Sequence, residues 1–372
     1  MKVAVMPRDP NPYQELLHAE LRRLGIDCEY VRTPTPSQTL NLLLRPLLLI
    51  VLRIRGFRVL HIHWVYEFQL PWVRHRSASR ATRLWFSVLL RTARALGIRI
   101  VWTAHNPLPH TPVFLDDLGA RRELVAAADA IIVHGDAAGT ELRSLLGVRN
   151  VRVIPQGGYV GRYPEVGRAE ARARLRIPDA SFVATFVGAI ERYKGVPTLL
   201  HALERLHPDH EVLVVIAGRC TDDALRSELE GLAATDPARV RLEIRYLGDE
   251  EIASHLSAAD VAVFPFERVT NSGSVLLACS LGIPVVVPAL APLSDLPQRA
   301  TTYYDGSIDG LVTALEEIAR ESVGERTHRG RSGRDAMSVR TWTEVASETV
   351  RVYDLVLAGE GRLPALQERV TR

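Results

Sequence analysis

FVGAIERYKGVPTLLHAL (186–203) holds one of only two lysines among the 46 basic side chains of this 372-residue chain. Arginine is used almost everywhere else, yet Lys194 stands just after a β-branched strand pattern and just before an amphipathic helix. A lysine there offers a compact point charge, which suits phosphate oxygens better than a planar guanidinium fork. Further on, PFERVTNSGSVLLACSLGIPVVVP (265–288) has the same plan: a strand, a small hydroxyl-rich turn, then an apolar helix. Such turns aim backbone N–H groups at an anion. Two anion-facing turns in one half of the chain predict a nucleotide diphosphate as ligand.

Working outward, short apolar runs alternate with helical stretches. Residues 2–7, 28–32, 59–65, 99–105, 130–135 and 151–157 read as strands, with helices at 15–25, 84–97, 120–129 and 138–147. The pattern restarts with strands at 181–188, 211–218, 240–248, 260–266 and 283–288 and helices near 195–206, 222–234, 249–258 and 275–282. Near-continuous apolar strands separated by helices predict parallel sheets covered on both faces. The fold class is therefore α/β, with two doubly wound, Rossmann-like domains facing a central cleft. We place the first domain at 1–165 and the second, nucleotide-binding domain at 180–338, with the join at 160–180. A helix at 339–359 is expected to cross back to the first domain, and 360–372 reads as a tail.

Length and composition agree with two domains: 47% of residues are apolar and 24% charged. The net charge of +3 hides an asymmetry, for residues 1–160 hold 21 basic against 12 acidic side chains. Cys28, Cys220 and Cys279 stand far apart, which argues against a disulfide framework or a zinc site. The opening MKVAVMPRDPNPYQ reads as a strand and loop without an apolar signal segment. A cytoplasmic protein is the expectation. Nucleic acid is not an expected partner, since no nucleic-acid-binding motif is present.

TLNLLLRPLLLIVLRIRGFRVLHI (39–62) has the most unusual local composition. Its uninterrupted apolar run, Leu47–Leu52, is far shorter than the ~20 residues of a spanning helix. Between residues 39 and 99 there are eleven arginines and one acid, Glu67. An interfacial helix on an anionic membrane, extended by Arg74, Arg76, Arg80 and Arg83 beside Trp72 and Trp85, is one reading of residues 39–85. A buried core helix with a solvated arginine face is the other. The first would place the protein on the inner face of the cell membrane. His61 and His63, two apart on a strand, suit core packing and cleft lining better than a metal site.

The two long motifs resemble those of GT-B glycosyltransferases, specifically family 4 and its exopolysaccharide relatives. NPYQELL (11–17), HIHWVYE (61–67) and VWTAHNPLPH (101–110) resemble N-terminal pieces of the same group. The resemblance implies that Lys194, with Arg192, neutralises the donor diphosphate, and that Asn271, Ser272, Gly273 and Ser274 form a second phosphate cradle. It implies that Asn11, Pro12 and Tyr13 meet the donor from the other domain, with His63 and Gly188 lining the cleft. His105 would stand beside the transferred sugar, and the nucleobase would lie near Arg219 and Leu247. The main family carries two glutamates around the second turn where this chain has Val269 and Leu277, and Glu267 replaces a subgroup arginine.

The chemistry expected is transfer of a hexose from a UDP- or GDP-sugar to a glycan acceptor, with a lipid-linked glycan in cell-surface polysaccharide synthesis preferred. Such transfer needs charge neutralisation on the departing diphosphate. With no Asp-x-Asp pair in the chain, metal-independent chemistry without a cofactor is expected. His105 and Glu267 are the candidate catalytic residues, with Glu67 a rival base. Three other readings use the same residues: a secondary-metabolite glycosyltransferase, a GT-B epimerase, and a sugar-nucleotide-binding partner without catalysis.

Overall fold

The computed structural model describes residues 1–9, 11–68, 76–109, 112–148, 151–207 and 211–359. The chain divides into two units, Met1–Gln156 with the chain from Trp342, and Gly157–Thr341.

The first unit alternates strands and helices: β1 (Lys2–Met6), α1 (Pro12–Arg23), β2 (Asp27–Tyr30), α2 (Gln38–Ile54), β3 (Val59–Ile62), α3 (Arg76–Ala95), β4 (Arg99–Thr103), α4 (Asp117–Ala127), β5 (Ala130–Val133), α5 (Asp136–Leu146) and β6 (Val151–Val153). The strands form one parallel sheet in the order β2-β1-β3-β4-β5-β6. Val59, Leu60 and Ile62 of β3 and Ile100, Val101 and Trp102 of β4 are buried, as strands covered on both faces require.

The second unit begins with α6 (Arg168–Leu175) and continues through β7 (Phe182–Val187), α7 (Val196–Arg205), β8 (Val212–Ala217), α8 (Asp223–Thr235), β9 (Val240–Glu243), α9 (Asp249–Ala258), β10 (Val261–Val263), α10 (Gly273–Ser280), β11 (Val285–Pro288), β12 (Thr301–Tyr304), α11 (Ile308–Arg320) and α12 (Val323–Ser338). Its parallel sheet runs β12-β11-β10-β7-β8-β9. The chain then enters α13 (Trp342–Leu357), which packs on α1 within the first unit. There the Tyr353 hydroxyl meets His61 Nδ1 at 2.6 Å.

Residues 157–165, assigned from sequence to the first domain, belong to the second unit. The Gly158 N–H donates to the Arg340 carbonyl at 2.8 Å and the Tyr159 N–H to Ser280 Oγ at 2.9 Å. The charge-rich stretch read as a join is α6. Arg172 at its centre is fully buried and bonds Asp260, whose carboxylate also accepts from Arg168 and Arg326. β12, α11 and α12 are absent from the sequence reading. For α12 the reason is packing without apolar periodicity: a Cβ at Gly330 would lie 1.8 Å from the Gly282 carbonyl oxygen, so glycine lets the backbones meet.

Helix α2 combines features of both sequence readings. Leu42, Arg45, Leu49 and Leu52 face the core, whereas Leu40, Leu43, Leu47, Ile50, Val51 and Ile54 form an exposed apolar stripe. Pro46 removes the N–H that would bond the Leu42 carbonyl, and the Trp85 indole supplies a replacement donor at 2.8 Å. The expected basic surface is smaller than the sequence suggests. Arg45 is buried on Glu67, Arg55 pairs with Glu29, and Arg83 is held by Asp116 and Glu123. Among the described residues, Arg58 and Arg80 remain exposed without an acidic partner. Trp72, Arg74, the side chain of Arg76 and the 360–372 tail lie outside the described residues.

Candidate functional site

In the second unit the turns after β7 and β10 are bound to each other. Gly195 ends the Arg192–Lys194 turn at φ +67°, and a Cβ there would lie 1.9 Å from the Pro265 carbonyl oxygen. The Glu267 N–H donates to the Tyr193 carbonyl at 2.9 Å, and Arg268 lies 5.7 Å from the centre of the Tyr193 ring. Gly188, at φ +140°, abuts the start of α10: a Cβ there would be 2.8 Å from Ser274 Oγ. Only glycine fits both the backbone angle and the space.

Lys194 is partly buried. Desolvation lowers its pKa, with Glu191 opposing that shift. Its Nζ rests 5.9 Å from the Tyr193 ring centre, and among the described residues no carboxylate pairs with it. At the second turn, Asn271 Oδ1 accepts from the Ser272 N–H at 2.9 Å, and Ser272 Oγ caps α10 through the Val275 N–H at 3.4 Å. The N–H groups of Gly273 and Ser274 have no acceptor among the described residues. A part-buried ammonium outside salt-bridge range of any carboxylate among the described residues, and a helix start with open N–H groups, are the components of an anion site.

In the first unit, Asn11 caps α1 by accepting the Tyr13 N–H at 3.0 Å, with Pro12 at the first helical position. Tyr13 is buried and packs edge-on to His105, ring centres 4.8 Å apart. His105 belongs to a chain of imidazoles. His134 Nε2 lies 3.2 Å from His105 Nδ1, and His105 Nε2 lies 3.2 Å from His63 Nδ1. The chain ends at the Ile154 carbonyl, 3.0 Å from His134 Nδ1. That carbonyl only accepts, so His134 carries its proton on Nδ1; neutral His105 and His63 must then do likewise. Burial holds His134 at a pKa of about 4 and pushes His63 and His105 well below the usual histidine range. Among the described residues, no three His, Cys, Asp or Glu side chains are grouped to hold a metal ion.

Residues 181–321, which include both turns, match the family described as Glycosyl transferases group 1. The second unit contains a group 1 glycosyl transferase domain. The chain is 26% identical over 316 residues, 82% of each protein, to the GDP-mannose:glycolipid 4-beta-D-mannosyltransferase of Xanthomonas campestris pv. campestris. The sucrose-phosphate synthase of Thermosynechococcus elongatus shares its fold at a TM-score of 0.77 and 17% identity, covering 96% of this chain and all (100%) of that one. The Anabaena protein HepE, solved with UDP-glucose, does so at 0.71 and 14%, covering 95% and 99%. The architecture is the expected GT-B one.

Several residues singled out from sequence sit differently in this glycosyltransferase. Arg192 is exposed and turns to α8, where Glu228 takes it at 2.9 Å with Asp222 beside it, so its charge is engaged away from the Lys194 turn. His63 is 1% exposed, stacked between His61 and His105. His105 has both nitrogens committed to other histidines. Leu247 is buried beside the exposed Tyr246, so its side chain serves the core. Arg219 is exposed just after β8, its carbonyl accepting the Ile190 N–H at 2.8 Å. Glu267 is exposed at the turn into α10. Glu67 is gripped at both oxygens by Arg45, each at 2.7 Å. Sequence reading missed His134 and Trp64, whose ring stacks on His105 at 4.2 Å. Their only signal was a polar aromatic at a strand end.

Proposed function

We propose that this protein transfers a hexose from a UDP- or GDP-sugar to a lipid-linked glycan acceptor, without a metal ion, at the inner face of the cell membrane. The observation that carries the reading is Lys194, which no carboxylate among the described residues reaches as a salt bridge, in a turn bound to the segment that leads into the open N-terminus of α10. Bond cleavage at the sugar builds negative charge on the departing diphosphate; a fixed ammonium and aimed N–H groups stabilise that charge more than the ground state. The second unit holds the donor, with Ser272 shaping the cradle and Ser274 presenting its hydroxyl and N–H. The first unit holds the acceptor.

Glu267 suits the role of proton acceptor better than His105. It is exposed, whereas neither imidazole nitrogen of His105 is available without breaking the histidine chain. The mannosyltransferase relative is named for GDP-mannose and a glycolipid, and HepE was solved with UDP-glucose. These are the first donors to assay, and a glycolipid is the first acceptor. Membrane attachment is supported by the apolar stripe of α2 with the exposed Arg58 just beyond its end; this amphipathic pattern suits an anionic lipid surface. No helix of the described residues is long and apolar enough to cross a membrane. Calorimetric titration with UDP, GDP and their monophosphates tests the donor site. Diphosphates binding far more tightly than monophosphates, followed by sugar transfer to a glycolipid, is the expected result. Binding without transfer across an acceptor panel would make the protein a sugar-nucleotide partner instead.

A further inference from the structure

Between the loop after β2 and the start of α2, the first unit opens a pocket of 570 Å³ lined by Thr33, Thr35, Gln38, Arg45, Tyr66 and Glu67. We propose that this pocket binds the neutral sugar headgroup of the acceptor glycolipid; this rests on the reading that the protein glycosylates such a lipid.

Charge sets the ligand class. The ionic groups of the lining are Arg45 and Glu67, joined by two 2.7 Å bonds, so they leave neither a free cation for phosphate nor a free anion for an amine. Arg45 is 2% exposed, and its remaining contact is the Val31 carbonyl at 3.2 Å from Nη1. Its Nε is buried without a partner, so the guanidinium is committed to the fold and not to a ligand. The other polar groups are neutral. The Thr33 hydroxyl has no partner among the described residues, and the Tyr66 hydroxyl bonds Asp9 at 2.8 Å while its ring stays partly exposed. Ionised Glu67 has about four acceptor positions, two of them taken by Arg45. Neutral donors and acceptors around a compensated carboxylate match vicinal hydroxyls.

The same helix sets the rest of the ligand. Gln38 lies at the pocket, and the exposed stripe starts at Leu40 and Leu43 and runs to Ile54. At 1.5 Å per residue that stripe is about 21 Å long, longer than the roughly 15 Å of hydrocarbon in one leaflet. A headgroup in the pocket would have its lipid chain beside an apolar face long enough to cover it.

The test is saturation-transfer NMR on the full chain with octyl β-D-glucoside and octyl α-D-mannoside below their micellar concentrations, and octyl phosphate for comparison. Saturation of sugar-ring protons of at least one glycoside is expected, with octyl phosphate binding at least tenfold more weakly. The double variant Thr33→Val, Gln38→Ala, at two exposed positions, should weaken glycoside binding tenfold or more. Unsaturated ring protons, equal binding by the phosphate, or a variant that binds like wild type would each overturn the proposal. Nucleotide titration of the same samples reports separately on the donor reading.

Discussion

His134 and His105 share one proton position: Nε2 of the first faces Nδ1 of the second at 3.2 Å, and the Ile154 carbonyl decides which nitrogen holds the hydrogen. A sequence motif had marked His105 as a sugar-side residue or base. Its surroundings make it one member of a neutral chain whose further end, His63 Nε2, is buried without a partner. A charge on any ring would have to be accommodated by neighbours that are themselves poor acceptors of charge.

Acid should therefore destabilise the first unit. His18, His61 and His134 have folded pKa values of about 4, 3 and 4, lowered mainly by burial, against an ordinary value of 6.5. Stability from keeping them neutral is complete above pH 6.5 and declines as pH falls toward those values. Each fully buried ring adds a slope of up to about 1.4 kcal/mol per pH unit in that window. Thermal melts between pH 7 and 4.5 should show an early transition that His61→Phe makes less pH-dependent. A flat profile would refute the account.

Replacing Lys194 by alanine should lower kcat/KM by about 10²–10³, the usual loss for one charge-stabilising contact. Arginine should restore only part of this, because its planar fork replaces a compact charge. Steady-state kinetics with a UDP- or GDP-sugar decides it, and an unchanged rate for Lys194→Ala would remove the residue from the site.

Gly188→Ala should damage both fold and donor binding. Its φ of +140° is strained for alanine, and its Cβ would press on Ser274 Oγ. We expect a loss of about 1–3 kcal/mol in stability. The companion Gly188→Ala, Ser274→Gly variant removes the contact but not the strain, so partial recovery of stability, read by thermal melting, separates the two causes.

Charging the outer face of α2 should abolish lipid binding without unfolding the protein. Leu43→Glu with Leu47→Glu alters exposed positions only. Vesicles containing anionic lipid should sediment wild type and leave the variant in solution, with equal melting temperatures.

Trp85→Phe should cost about 1–3 kcal/mol, since it leaves the Leu42 carbonyl without the donor that replaces the missing N–H of Pro46. Pairing it with Pro46→Ala, which restores the helical donor, should recover most of that loss in a denaturant titration.

The alternation of strands and helices, the two β-strand-to-helix turns and the place of Lys194 were legible along the chain, because each depends on local runs of apolar residues, small residues and one unusual cation. Arg192 and Arg45 look like free charges in sequence. Only packing showed that Glu228 takes one and Glu67 the other, since these partners come from other elements. The histidine chain was invisible for the same reason: His63, His105 and His134 follow three different strands, and only the sheet's lateral order β3-β4-β5 sets them side by side. What local sequence determined was the pair of strand-to-helix turns proposed to face the donor diphosphate. Which side chains remained available to use them was decided by tertiary structure, because a charge or a ring nitrogen already bonded inside the fold has little left to offer a ligand.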